Sequence, residues 1–177
     1  MKGNQKNEIG KISSAKFESH FLEVVSFIKK ARVEALNSVN KELITLYWKI
    51  GGYISTKIQN AEWGDFVVDK LAEYISNKHP DLRGYTRRNL YRMRQFYETY
   101  KSDKIVSPLL SQISWSHHLA IISKSKSPEE REFYLKLAIE EKYSKRELER
   151  QIDSGYYERV MISKNVPPLL SQSNTES

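Results

Sequence analysis

Between residues 17 and 58 apolar side chains recur every three or four positions: Phe17, Phe21, Val24, Ile28, Ala31, Ala35, Val39, Leu43, Tyr47, Ile50, Ile54 and Ile58. At 3.6 residues per turn that spacing lines one side of a helix, and no proline or glycine interrupts it before Gly51-Gly52. More than forty residues committed to helical periodicity leave little room for a β fold in a chain of 177. The segment is either one very long helix or two helices broken near Asn37-Ser38-Val39-Asn40, and the three residues there that favour caps and turns favour the break. A helical glycine costs roughly 1 kcal/mol relative to alanine, so the Gly51-Gly52 pair predicts a close packing contact.

The punctuation downstream is also helical. A helix over residues 65–78 stops before His79-Pro80, because the residue preceding proline is pushed out of the α region. Thr86 caps a helix over 86–100, and a short helix covers 115–122 after a loop containing Pro108. Ser127-Pro128-Glu129-Glu130 combines an N-cap, proline in the first turn and a capping glutamate. Ser144-Lys145-Arg146-Glu147 repeats the capping box and opens a last helix to about Tyr157. No segment alternates as a strand would, so the fold class is all-α, with one main helical domain over residues 15–160. The polar residues 1–14 are expected as a disordered tail, and residues 161–177, with Pro167-Pro168 and a serine-rich end, as a flexible tail or linker.

Charge and composition narrow the function. Lys and Arg number 29 against 22 Asp and Glu, a net +7 with pI near 9.4, which favours a polyanionic partner. The absence of cysteine removes disulfides and cysteine-based zinc sites. The N-terminus carries no apolar signal region, and no stretch is apolar for long enough to span a bilayer, so a cytoplasmic protein without a membrane partner is expected. The four histidines, His20, His79, His117 and His118, include no pair at the i, i+4 spacing of a helical metal site, and no phosphate-loop or nucleophile-elbow motif occurs. No metal, cofactor or catalytic residue is assigned. Pro80-Asp81 with Glu140-Glu141-Lys142 formally spells a metal nuclease signature, but that chemistry needs its carboxylates on adjoining strands, and both pieces fall at helix ends.

The strongest candidate for binding lies in residues 65–97, which read as a helix-turn-helix-like unit with Gly84 in the turn. On the second helix Leu90, Met93, Phe96, Tyr97 and Tyr100 gather on one side. Arg87, Arg88, Tyr91, Arg94 and Gln95 lie on the other, with Asn89 and Arg92 at its edges. Together with Arg83, this face carries five arginines and no acidic residue between positions 83 and 94. Arginine pairs bidentately with guanine or phosphate, and Asn or Gln with adenine, so duplex DNA is the expected partner. A second such pattern over residues 131–152 has Lys142 where glycine is usual. Its surface charges are mixed, and Lys145, Arg146 and Arg150 are its candidates for secondary phosphate contacts.

The motifs Leu46-Tyr47-Trp48-Lys49-Ile50-Gly51, Trp63-Gly64, Arg83-Gly84-Tyr85-Thr86-Arg87-Arg88-Asn89-Leu90-Tyr91, Ser114-Trp115-Ser116-His117-His118, Glu129-Glu130-Arg131-Glu132-Phe133-Tyr134 and Ser144-Lys145-Arg146-Glu147-Leu148 resemble, in this order, the N-terminal domain of the YhcG-like PDDEXK nuclease family. The resemblance implies a bacterial DNA-processing protein linked to mobile elements or defence. It also implies a nuclease domain, C-terminal or separate, to which this chain would bring DNA. No family catalytic residue maps onto positions 1–177. A second reading makes the long apolar helix face a protein-interaction or oligomerisation scaffold for a nuclease partner, with a homo-oligomer among its outcomes.

Overall fold

A computed structural model describes the backbone of residues 4–103 and 107–165, and side chains within residues 21–163 except those of 65 and 104–107. It is all-α, with seven α-helices among the described residues: α1 (Asn4–Gln59), α2 (Asp65–Lys78), α3 (Arg87–Tyr100), α4 (Trp115–Lys124), α5 (Pro128–Glu140), α6 (Lys145–Asp153) and α7 (Tyr156–Asn165). A single 3-10 turn, Ser107–Gln112, precedes α4. No described helix is long and apolar enough to cross a membrane.

Three boundaries differ from expectation. Helix α1 continues through Asn37-Ser38-Val39-Asn40 without a break. Asparagine and serine cost a helix only tenths of a kcal/mol each, and with no proline or glycine nearby nothing forces an end. The same helix takes in the expected tail from Asn4 onward, since extending an existing helix needs no new nucleus. At the other end, the chain turns at Ser154-Gly155, with Gly155 at φ +66°, and starts α7, where one helix to Tyr157 was expected. A glycine in the left-handed region is a common helix stop. Residues 166–177 of the expected C-terminal tail lie outside the described residues.

The chain divides into two compact units, Met1–Lys41 and Glu42–Ser177. In the first, the described side chains 21–39 of α1 are exposed, large apolar ones included. Among the described residues, every buried apolar side chain lies in the second, nearly all of them in two clusters. One gathers Phe96, Tyr100, Tyr134, Leu135, Leu148 and Ile152 among others, the second Tyr47, Ile54, Val68, Leu90 and Met93. Helix α3 contributes to both, so its whole apolar side is committed to the core and its orientation about its own axis is fixed. Trp115 links the clusters, its ring edge-on to Tyr47 at 4.8 Å and to Phe96 at 5.4 Å.

Gly51 and Gly52 do mark a close approach. A Cβ on Gly51 would stand 2.1 Å from the Met93 carbonyl oxygen, and one on Gly52 3.0 Å from the Tyr97 ring. The α1 backbone therefore lies directly against α3, and Trp48 packs edge-on to Phe96 and Tyr97 beside it. Ser127 and Ser144 cap α5 and α6 as expected, Ser144 within a complete capping box.

Candidate nucleic-acid interface

Helix α3 starts from a shaped turn. The chain leaves α2 at His79 and passes Gly84, whose φ of +93° favours glycine. It enters α3 at Thr86, whose hydroxyl accepts from the Asn89 backbone N–H. The connection 79–86 is longer than the three or four residues usual in helix-turn-helix units, yet α2 and α3 pack directly on one another. With Leu90, Met93, Phe96 and Tyr100 buried, the opposite side of α3 faces outward. Thr86, Arg87, Arg88, Tyr91, Arg92 and Gln95 line an open groove there.

The arginines of this face fall into two groups. Arg83 and Arg88 are exposed and Arg92 half-buried, and none has a carboxylate within ion-pair distance among the described residues. Arg87 and Arg94 are paired. The Arg87 Nε donates to Asp69 Oδ1 on α2 at 2.6 Å, and Arg94 bonds Glu98 one turn on at 2.9 Å. Asp69 also accepts from the Tyr91 hydroxyl at 3.4 Å, and the Arg87 guanidinium sits over the Tyr91 ring at 5.4 Å. One α2 carboxylate thus holds two α3 side chains in place. It engages Arg87 through Nε. Asp69 was not legible as part of this site, because its relation to Arg87 arises only when α2 crosses α3.

Asn89 points elsewhere. Its amide nitrogen donates to the Gly84 carbonyl at 2.6 Å and its oxygen accepts from Trp115 Nε1 at 3.0 Å. Both ends of the side chain are engaged in closing the turn and tying α3 to α4. Gln95 is exposed on the groove.

The second candidate patch lies at the start of α6. Lys145 pairs with Glu149 at 3.3 Å, whereas Arg146 and Arg150 are exposed, and the Arg150 charge acts on the Glu147 carboxylate. They line a groove with Lys124, which is held by Asp153 at 2.7 Å, and with Glu147. The Ser144 backbone N–H and then its hydroxyl hold Glu147 below the usual carboxylate range. Lys142 stands in the left-handed region, φ +52°, filling the turn position where glycine is usual.

The two halves of the nuclease-like signature stay at the ends of helices. Asp81 is exposed in the 79–86 connection, and Glu140 and Glu141 are exposed at the end of α5. No group of three or more potential metal-ligating side chains occurs among the described residues. His118 is fully buried. His117 is half-buried between Ser114 Oγ and the Tyr143 carbonyl.

Comparison with known families places this architecture. The profile of the DUF1016 N-terminal domain matches residues 23–159, most of the chain. The chain belongs to that family. All the motifs that carried the resemblance to YhcG-like proteins fall inside the matched region, from both arms of the Gly84 turn to the α6 capping box. The DUF1016 N-terminal domain seen here is 24% identical over 182 residues to the Escherichia coli (strain K12) protein named "Putative nuclease YhcG". That match covers 84% of this chain and 48% of the relative, so the chain spans about half the length of the curated relative it matches. No solved structure gives a match.

Proposed function

We propose that this DUF1016 N-terminal domain is a cytoplasmic DNA-binding module that lays the outward face of α3 on duplex DNA and delivers it to a nuclease domain, without cofactor or catalytic centre of its own. One observation carries the reading: Arg88 and Arg92 line a groove on a helix whose rotation is fixed by the core, Arg83 is exposed in the turn that leads into it, and none of the three has a carboxylate within ion-pair distance among the described residues. Unpaired guanidiniums on a rigid element suit phosphates, because no internal ion pair has to be broken on binding. Arg87 and Tyr91, steadied by Asp69, add a fixed fork and a stacking ring beside them. Gln95 is the remaining candidate for reading base edges, since the Asn89 amide is engaged within the fold. Arg146 and Arg150 serve as secondary phosphate contacts. A partner nuclease is supported by the printed name of the Escherichia coli relative and by that protein's greater length.

The test is a salt titration of duplex binding by the wild-type chain and the Arg83→Ala, Arg88→Ala, Arg92→Ala triple variant. Each lost phosphate contact reduces the slope of log K against log salt by about one, so the triple variant should bind at least about tenfold more weakly at moderate salt, with a slope shallower by about three. A folded triple variant with unchanged affinity would sink this assignment.

A further inference from the structure

The segment 22–39 of α1 is apolar around most of its circumference. Leu22, Val24, Phe27, Ile28, Leu36 and Val39 are between 53 and 69% exposed. At 100° per residue these six side chains sweep an arc of about 220°. The remainder is about 140° wide, and the central stripe of roughly 80° within it carries Glu23, Ser26, Lys30, Glu34 and Asn37. Inside the arc the charged residues are Lys29 and Arg32, whose long stems can carry their charges to its rim.

Three physical points follow. A lone helix in water is marginal, and most helical stability comes from packing an apolar face, so an arc of this kind calls for an occupant. With Val25 and Val33 added, the segment offers on the order of 800 Å² of apolar surface, the size of one side of a standard protein interface. A single partner helix covers a stripe of roughly 100°, so an arc twice as wide has room for two neighbours. Identical copies meet these conditions without any further component. In a closed ring of three or more, each arc lies between two others of the same composition. The outer stripes, with Glu23, Lys30, Glu34 and Lys41 alternating in sign, present no wall of like charge to their neighbours.

We infer that residues 22–39 form an assembly helix, packing against the same segment of other copies of this chain in a bundle of three or more. The surface lies within the Met1–Lys41 unit, so the inference stands apart from the nucleic-acid reading.

The full chain, 20.8 kDa per subunit, is measured by light scattering at tens of micromolar without nucleic acid. A mass of three or more subunits is expected, and the Ile28→Glu, Leu36→Glu double variant should fall to one subunit while keeping a cooperative thermal melt. Because the chain has no cysteine, Ile28→Cys should cross-link between copies on oxidation, and Lys30→Cys, on the polar stripe, should not. A wild-type mass of one or two subunits, or equal cross-linking at both positions, overturns the inference. A monomer that associates only with a different protein overturns it too.

Discussion

Asn89 uses both ends of its amide inside the fold, on the Gly84 carbonyl and the Trp115 indole, although its residue type and place at the start of α3 suit an adenine reader. The wheel put it at the edge of the face, but only its partners decide what an edge residue does. His118 shows the same dependence. It is fully buried against Phe96, and its Nε2 lies 2.7 Å from the Leu110 carbonyl, so that nitrogen carries the proton and donates. Nδ1 has no hydrogen-bond partner, and burial pushes the pKa of the ring down to about 4. The unfolded chain binds a proton at this residue near pH 6.5, the folded chain only near 4, so between those values unfolding takes up a proton. Stability from this group is therefore complete above about pH 6.5 and is lost as pH falls toward 4, by up to about 3 kcal/mol. Urea unfolding across that range should show this decline, and His118→Leu should flatten it; an unchanged slope would show that the histidine titrates normally.

At the scale of the element, the meeting of α1 with α3 is a close backbone approach behind the arginine face. Glycine at position 51 lets the two backbones touch. Gly51→Ala would place a methyl group 2.1 Å from the Met93 carbonyl, a backbone atom that cannot swing aside. The expected cost is about 3 kcal/mol, the upper part of the range for overpacking. Gly64→Ala is the control, because nothing lies within 4 Å of its added Cβ and its φ of −90° is ordinary for alanine. That change should cost under about 1 kcal/mol. Comparable melting temperatures for the two variants would contradict the close approach. The Gly51-Gly52 pair already marked this contact in the sequence, since a helix keeps adjacent glycines at a cost, but the sequence did not name α3 as the neighbour.

At the scale of the molecule, the buried core and the inferred assembly segment fall in different units of the chain. Among the described residues every buried apolar side chain lies at position 44 or beyond, nearly all of them in the two clusters that α3 shares. A chain beginning at Glu42 should therefore keep a cooperative melt within about 1 kcal/mol of the full-length chain, since it retains the buried apolar area that drives folding. Differential scanning calorimetry of the two chains checks this, and a broad, non-cooperative melt of the shorter one would show that residues 1–41 are needed for the core.

Helix type, the caps at Thr86, Ser127 and Ser144, and the apolar side of α3 follow from the sequence alone, because each rests on interactions within one or two turns of chain. So does the ring of arginines, as a matter of spacing. Tertiary structure decided which arginines are paired: Asp69 reaches Arg87 from eighteen residues away across an interhelical crossing, and no local pattern encodes that distance. It likewise turned Asn89 inward and sealed His118 in the core. Side-chain partners across packed helices depend on crossing angle and rotation, which the summed packing of both clusters sets.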